Sequence, residues 1–595
     1  MSAWGNELVR NLTRTASFAA TAAIALLSSC SGNSDQPVTE APPSNSPGPS
    51  APAVPGASSK VQAYRFLNQA TFGATEAEAE RLIALGDAAT RYSRWIDEQM
   101  ALPESTQRTY TQAALPPAPR PAGYDYSRQN MDREDIWFQN SVQGNDQLRQ
   151  RVAWALAQIF VVSQVSLNNR YPMGLADFYD NLARNAFGDF RELLQSVTLH
   201  PMMGVYLSML GNRRPNVALN IRPDENYARE IMQLFTIGLV QLNPDGTPKL
   251  DAGDEPIPTY NQAVIEGFAH VFTGWNWACS NGSPNPCNFT TTTGTVPNQF
   301  LPMELFAAEH DTGEKRLLTY PNPVKSVLPA GQSATQDLGD ALDNIFNHPN
   351  VGPFIAVRLI HRLVTSNPSP AYVARVSAAF DDDGTGRRGI LGAVVRAILL
   401  DAEARTPAST ADPEASKLKE PVLRLTQLWR AYNGRAASGK YYNINGDGLN
   451  TGVSLPFGQG PLQAASVFNF FSPFYAPPGE TSDAGLVAPE LQITTEYQNT
   501  LVTNFFYQQA FNRNSRSNVS SNIVRVDIEE EMALAADPAA LVEKVVQKLL
   551  AGEISPALRT QAEQLVARVP DTDAAARAAT ALWLISTSPD FATQR

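Results

Sequence analysis

The sequence predicts a mainly α-helical protein, a large multi-helix globular body with one long irregular segment and with neither a Rossmann fold nor a barrel. Three observations predict this fold. Apolar residues recur at helical spacing from Ala63 onward, capping residues precede several of these stretches, and no series of strand-like segments appears. Of the 595 residues, 43% are hydrophobic and 17% charged, which excludes a wholly disordered or collagen-like chain.

The first thirty residues are typical of an export signal. Arg10 and Arg14 form a positive region, and Ala19–Leu27 forms a short apolar core. The sequence Leu27-Ser28-Ser29-Cys30 resembles the lipobox of bacterial lipoproteins, in which the cysteine is lipidated and becomes the first mature residue. We therefore predict a lipoprotein signal peptide over 1–30. An ordinary secretory signal that contains a cysteine is the alternative.

Residues 31–59 predict an extended tether behind this anchor. They contain seven prolines and seven serines, without an aromatic residue, leucine or isoleucine. Such a stretch buries too little apolar surface to offset its ordering entropy. Ser31 rather than aspartate follows Cys30. This favours anchoring in the outer membrane, facing the periplasm or the cell surface.

Helices dominate the predicted body. Thr75 followed by Glu78 is a capping-box pattern. Residues 147–163 are apolar nearly all round and predict a buried central helix. Residues 175–199 predict two helices with a break near Gly188. Further helices are predicted at 225–238, 260–273, 351–365, 371–380, 389–401 and 416–432.

The irregular segment follows these helices. Residues 433–500 are rich in Gly, Pro, Asn and Phe without a sustained period. We expect them to be ordered on the body, because their phenylalanines need burial. Residues 501–595 predict three helices packed on the body, two of which begin at Asp537-Pro538 and Ser555-Pro556. The helical body itself is assigned to 60–432.

The charge and hydropathy of the chain argue against nucleic acid as a partner and against a membrane-spanning helix. The formal net charge is −12 and no basic stripe is present, so nucleic-acid binding is not expected. No uninterrupted apolar run reaches the ~20 residues of a membrane helix.

With Cys30 lipidated, Cys279 and Cys287 remain in one short loop. An oxidising periplasm favours a disulfide between them, since a metal site would need further thiols or histidines that the loop lacks.

Seven polar residues are candidates for a functional site. Glu266 and His270 are four apart on a predicted helix, so they share a face and could bind a metal or transfer protons. His310-Asp311 falls in a turn, where side chains can point into a cleft. The full set is Glu225, Asn226, Glu230, Glu266, His270, His310 and Asp311.

The predicted helix that begins at Glu225 supplies two carboxylates of this set, Glu225 and Glu230. Asn226 and Glu230 should lie close to the apolar stripe of that helix, where burial raises the pKa of a carboxylate toward the range of a general acid. The alternative is a set of unrelated solvated positions. On that interpretation His361, a further histidine, is an exposed helix residue.

Six segments resemble the DUF1800 family of exported bacterial proteins, in order from about residue 63 to the C-terminus. They are RFLNQATFGAT (65–75), FGDFRELLQSVTLHPMMGVYLS (187–208), ENYAREIMQLFTIGL (225–239), FAHVFTGW (268–275), HDTGEKRLL (310–318) and SVFNFFSPFYAPPG (466–479). The resemblance implies an exported, predominantly helical protein without an assigned activity. Family members often sit beside genes for exported DUF1501 proteins, which resemble sulfatases and phosphatases, so a DUF1501-like protein is an expected partner.

One departure from the family pattern concerns the central helix. Many members carry a motif similar to Trp-His-Asn-His-Phe there, whereas this chain has Leu156-Ala157-Gln158-Ile159-Phe160. The two histidines that a metal site at this position would use are therefore absent. The sequence identifies no cofactor.

Three functions are compatible with these patterns. The first is a lipid-anchored binding or accessory component that acts with an exported partner enzyme on an extracellular or periplasmic substrate. It leads because no complete catalytic constellation is visible, and GxSxG, HExxH and CxxCH motifs are absent. The alternative is a hydrolase or lyase that acts on an extracellular polymer with an acid/base cleft built from the seven residues. A further alternative is a metal-dependent phosphohydrolase that uses a His-Asp pair.

Overall fold

The computed structural model describes residues 59–114, 127–167, 169–279, 289, 296–406, 416–441, 457–511 and 523–594. The signal peptide, Cys30, the tether up to Ser58 and Cys287 lie outside the described residues. The lipid anchor and the disulfide of Cys279 therefore remain predictions. Ser59, the last residue assigned to the tether, begins the first helix.

The described residues confirm a mainly helical fold. Their paired β-strands form only two-stranded antiparallel pairs, and no barrel or closed sheet occurs among them. None of the helices in the described ranges combines the length and the apolar character needed to cross a membrane. The paired strands are β1 (Trp275–Asn276) with β2 (Glu304–Leu305), β3 (Lys315–Arg316) with β4 (Val327–Leu328), and β5 (Lys417–Leu418) with β6 (Thr593–Gln594).

The N-terminal helices surround a buried central helix. The structure confirms this helix over Gln147–Ala157, and it ends six residues earlier than predicted. The predicted break near Gly188 is also present, because the Asp189 side chain accepts hydrogen bonds from Arg191 N and Glu192 N and begins a new helix. These helices are α1 (Ser59–Ala70), α2 (Glu76–Ala84), α3 (Arg91–Ala101), α4 (Arg108–Ala113), α5 (Ser127–Gln143), α6 (Gln147–Ala157), α7 (Pro172–Arg184), α8 (Phe190–Thr198) and α9 (Pro201–Tyr206).

The middle of the chain supplies the next eight described helices, of which the first two carry Asn226, Glu230, Glu266 and His270. They are α10 (Asn226–Gln233), α11 (Gln262–Val271), α12 (Ala334–Phe346), α13 (Val351–Leu363), α14 (Pro370–Asp381), α15 (Leu391–Leu400), α16 (Ala402–Arg405) and α17 (Pro421–Ala431). Helix α11 packs closely on β3 through Gly267. A Cβ atom at this position would lie 1.9 Å from the Arg316 carbonyl oxygen, so the approach requires glycine.

Two C-terminal helices begin where predicted, at Pro538 and Pro556, but Ser555 makes no side-chain capping hydrogen bond, and residues 501–595 contain more helices than the three predicted. Asp537 caps the helix that begins at Pro538, and its carboxylate accepts hydrogen bonds from Ala539 N and Ala540 N. The helices are α18 (Glu480–Asp483), α19 (Glu496–Phe511), α20 (Glu529–Ala533), α21 (Pro538–Leu550), α22 (Pro556–Arg568), α23 (Ala574–Ser586) and α24 (Pro589–Ala592).

The irregular segment buries only some of its phenylalanines. Phe457 and Phe471 are buried, as expected, whereas Phe468 and Phe474 are 59% and 55% exposed. A second prediction is wrong. His361 is buried, not exposed, because α13 presents it to the ring of Phe474, with centroids 5.7 Å apart.

Candidate functional site

The structure brings His270 and Asp311 together. Nδ1 of His270, in the last turn of α11, is hydrogen-bonded to Oδ2 of Asp311. The backbone holds this carboxylate in place, since Asp311 N donates to Thr273 Oγ1 at 2.9 Å and Gly313 N donates to Asp311 Oδ1 at 3.0 Å. The bond from His270 lowers the pKa of Asp311 to about 2. Nε2 of the half-buried His270 has no partner among the described residues, so it is available for proton transfer.

Glu225 and Glu266 lie at the surface and share one amide. Nε2 of Gln262 lies 3.0 Å from Glu225 Oε1 and 3.3 Å from Glu266 Oε1. Arg229 also pairs with Glu225, at 3.1 Å. Asn226 is exposed beside them in the first turn of α10. These contacts have the character of a solvated helix surface.

His310 is buried in an ionic cluster with Asp337 and Lys315. Nε2 of His310 lies 3.1 Å from Asp337 Oδ2, and Lys315 Nζ lies 2.7 Å from the same oxygen. Nδ1 of His310 contacts the Thr273 carbonyl oxygen at 3.0 Å. Gly274, with φ of 89°, packs against the His310 backbone, where a Cβ atom would approach to 3.0 Å. His310 therefore joins two segments of the fold and does not face a cleft.

Glu230 is buried, with 6% of the residue exposed. Its Oε2 atom is buried without a hydrogen-bond partner among the described residues. Burial raises the pKa of Glu230, as the helix pattern predicted. Burial and the nearby charge of Glu230 also raise the pKa of Tyr260 to about 12. No hydrogen bond joins Glu230 to His270 or His310 among the described residues.

The described residues contain no group of three or more His, Cys, Asp or Glu side chains placed to hold a metal ion. The His270–Asp311 pair would offer a metal only two protein ligands. The predicted polar residues thus form a half-buried pair, a surface patch, a buried cluster and a buried carboxylate that has no hydrogen bond to the others among the described residues.

A cavity that sequence reasoning missed lies between α6, α10, α13 and the irregular segment. Its volume is about 450 Å³, and its walls are mainly apolar. We call it the arginine cavity, because Arg358 and Arg362 of α13 line it. Its other lining residues are Gln158, Ile159, Gln233, Leu234, Ile237, Gly238, Leu239, Val240, Leu242, Gly246, Phe354, Val357, Val467, Phe468, Asn469, Phe471, Ser472, Pro473 and Phe474.

Aromatic rings hold both guanidinium groups. The Arg358 guanidinium carbon lies 4.4 Å from the centroid of Phe354 and 4.8 Å from that of Phe474. The Arg362 guanidinium carbon lies 4.5 Å from the centroid of Phe471. Neither guanidinium forms an ion pair or a hydrogen bond with the described residues. The lack of a directly bonded counter-charge is unusual for charged side chains that are partly or fully buried, although Glu420 and Glu490 attract Arg362 without contacting it.

The acids behind the cavity are engaged with other groups. Glu490 pairs with Lys417 at 2.8 Å. Glu420 accepts hydrogen bonds from Trp154 Nε1 at 2.9 Å, Gln158 Nε2 at 3.0 Å and Gln459 Nε2 at 2.7 Å. These contacts leave no carboxylate that bonds directly to the cavity arginines.

Positive charge is therefore in excess near the cavity. Burial and the charge of Arg362 lower the pKa of Arg358 to about 9. Burial, followed by the charges of Arg358, Arg362 and Lys417, lowers the pKa of His361 to about 3, so His361 is neutral near pH 7.

A signal for the cavity was present in the sequence. The segment Val351–Leu363 contains two arginines four residues apart and no acidic residue. In an otherwise apolar helix, this pattern indicates a charge whose partner must come from elsewhere.

Comparison with known protein families identifies the family of this chain. A family model described as DUF1800, protein of unknown function, matches residues 65–593. No curated protein and no solved structure matches the chain. The matched range runs from the middle of α1 to β6 and includes both the His270–Asp311 pair and the arginine cavity. The chain belongs to the DUF1800 family.

Proposed function

We propose that the chain is an exported, lipid-anchored binding protein that holds a ligand in the arginine cavity and acts with an exported partner enzyme. The observation that carries this proposal is a cavity of about 450 Å³ with mainly apolar walls and two arginine guanidinium groups that stack on aromatic rings but have no hydrogen bond or ion pair with the described residues. Ligand sites in proteins are typically concave and mostly apolar, with a few polar groups that orient the ligand.

The N-terminal sequence supports the proposed export and lipid anchoring of the protein. The lipobox-like residues Leu27–Cys30 would attach the chain to the outer membrane, and the Pro/Ser-rich residues 31–59 would hold the body away from its surface. The resemblance to exported proteins encoded beside DUF1501 genes suggests a DUF1501-like partner. The ligand would then be periplasmic or extracellular.

The placement of the predicted acid/base residues favours binding over catalysis. An enzyme needs its acid, base and stabilising groups around one reacting atom. Here His310 is occupied by Asp337, and Glu225 is bonded to Gln262 at the surface. Glu230 is buried, and its Oε2 atom has no hydrogen-bond partner among the described residues.

A second candidate function is a hydrolase or lyase, and the His270–Asp311 pair favours it. A carboxylate bonded to Nδ1 fixes the ring orientation of a histidine and leaves Nε2 to accept a proton. A metal-dependent phosphohydrolase would require ligands beyond this pair.

The binding of a neutral apolar dye tests the proposed function. We expect the mature protein without Cys30 to bind N-phenylnaphthylamine saturably, with one dye per chain, as measured by fluorescence. Val357→Trp, which fills the cavity, should abolish binding. Val324→Trp, an exposed position outside the cavity, and His270→Ala should leave it unchanged. If Val357→Trp binds as well as wild type, the cavity is not the site.

A further inference from the structure

The ligand class of the arginine cavity follows from its charge and shape. We propose that it binds an amphiphile with one anionic head group, held by Arg358 and Arg362, and an apolar body that lies along the walls. This inference rests on the proposed binding function and adds the chemistry of the ligand.

The head group is indicated by the spacing of the two arginines. Residues four apart on a helix lie on one face, with Cβ atoms about 5–6 Å apart. Arg358 and Arg362 therefore present two guanidinium groups to one region of the cavity. Guanidinium groups match the oxygens of a carboxylate, sulfonate or phosphate through paired N–H donors.

The need for an anion comes from the missing counter-charge. A buried charge is costly unless it is paired. The nearest acids are bonded elsewhere, Glu490 to Lys417 and Glu420 to three uncharged donors. Glu420 and Glu490 attract Arg362 without contacting it. An anionic ligand would supply the directly bonded partner that the described residues do not.

The aromatic rings prepare the arginines for this role. Phe354 and Phe474 both lie within 5 Å of the Arg358 guanidinium, which limits its rotation. Phe471 holds Arg362 in the same way. Rings that cover the faces of a guanidinium leave its N–H edge for hydrogen bonds. The two donors are thus oriented before the ligand arrives, which reduces the entropy lost on binding.

The rest of the cavity indicates an apolar body. Ile159, Leu234, Ile237 and Val357 line the walls. Two further lining residues, Phe468 and Leu239, are 59% and 57% exposed and carry the apolar surface outward. A free inorganic anion would leave these walls unfilled, whereas the chain of an amphiphile covers them. A fatty carboxylate and an alkyl phosphate share this chemistry.

A pair of dyes that differ only in charge tests the head group. Anilinonaphthalene sulfonate carries an anion that N-phenylnaphthylamine lacks. We expect the sulfonate to bind the mature protein about ten- to a hundredfold more tightly than the neutral dye, the range of a charge-assisted hydrogen bond. Arg358→Met and Arg362→Met should each remove most of this difference by weakening the binding of the sulfonate. Arg375→Met, which changes an exposed arginine outside the cavity, is the control.

Competition tests the apolar body and the source of the anion. Dodecanoate and dodecyl phosphate should both displace the sulfonate dye, whereas dodecanol and inorganic phosphate at equal concentration should not. Dodecanoate should also raise the melting temperature of wild type and not of the Arg358→Met/Arg362→Met variant.

Three results would overturn the proposals in distinguishable ways. Equal affinities for the two dyes, unaltered by either arginine substitution, would refute the anionic head group and leave the binding function standing. Displacement by inorganic phosphate as effective as by dodecanoate would refute the apolar body. Saturable binding of neither dye would refute the binding function itself.

Discussion

Asp337 Oδ2 lies 3.1 Å from Nε2 of His310, and both side chains are at most 2% exposed. The same oxygen pairs with Lys315, which is equally buried. The Asp337 carboxylate is thus the shared partner of two buried basic groups, His310 and Lys315. A polar turn that the sequence marks as a candidate site is, in the structure, part of the support for α11 and β3.

This arrangement predicts a large stability cost for Asp337→Asn. Removal of one partner from a buried ionic cluster leaves an uncompensated charge, at a cost of about 3–5 kcal/mol. Asp340→Asn is a matched control on the same helix, since Asp340 pairs at 2.5 Å with the more exposed Lys325 and should cost at most about 1 kcal/mol. Denaturant unfolding measures both. Equal costs for the two variants would show that the cluster does not support the fold.

The His270–Asp311 pair predicts a dependence of stability on pH. The pKa of Asp311 in the folded protein, about 2, lies below the ordinary value of 3.8 for an aspartate. The contribution of the pair to stability is therefore complete above about pH 4 and is lost as the pH falls toward 2. Partial exposure limits it to about 1 kcal/mol. The difference in unfolding free energy between wild type and Asp311→Asn should follow this course. A difference that does not decline between pH 4 and pH 2 would contradict the pairing.

Two buried arginines should differ in the cost of replacement by methionine. The Arg362 guanidinium has no hydrogen bond or ion pair with the described residues, and Glu420 and Glu490 attract it without contacting it. Arg362→Met should therefore change the stability of the ligand-free protein by no more than about 1 kcal/mol. Arg151 donates to the Arg362 carbonyl oxygen at 2.5 Å and holds down the pKa of Glu420 against the effect of burial. Arg151→Met should therefore cost about 3 kcal/mol. Thermal unfolding compares them, and a large loss for Arg362→Met would mean that its charge is compensated within the protein.

The anchor is testable by cell fractionation. Lipidation requires the Cys30 thiol, so Cys30→Ala should appear as soluble, unlipidated protein. Cys279→Ala, which removes a cysteine outside the lipobox, should remain with the membrane. Retention of Cys30→Ala in the membrane to the same extent as wild type would refute the lipoprotein prediction.

Periodicity and capping predicted much of the helical body but missed helices whose buried faces are polar. Helix α13 was predicted to within two residues at its C-terminal end. Helix α5 was not predicted, because Arg133 and Asp135 are among its buried residues and interrupt the apolar pattern. The same assumption, that charged or polar groups lie outside, led to the wrong expectation for His361.

The candidate site was harder to predict than the fold. His270 and Asp311 were named from local patterns, yet their contact joins residues 41 positions apart. The arginine cavity depends on Arg358 meeting Phe474, which belongs to a segment without a period. Helical spacing could place the two arginines on one face, but only tertiary packing brings the rings to them.

A crystal structure of the mature protein with dodecanoate that carries a terminal bromine atom tests the central claim most directly. We predict the carboxylate within hydrogen-bond distance of both Arg358 and Arg362, with the anomalous signal of bromine along the wall toward Phe468. A ligand bound beside His270 and Asp311, or an arginine cavity that stays empty at saturating ligand, would contradict the account.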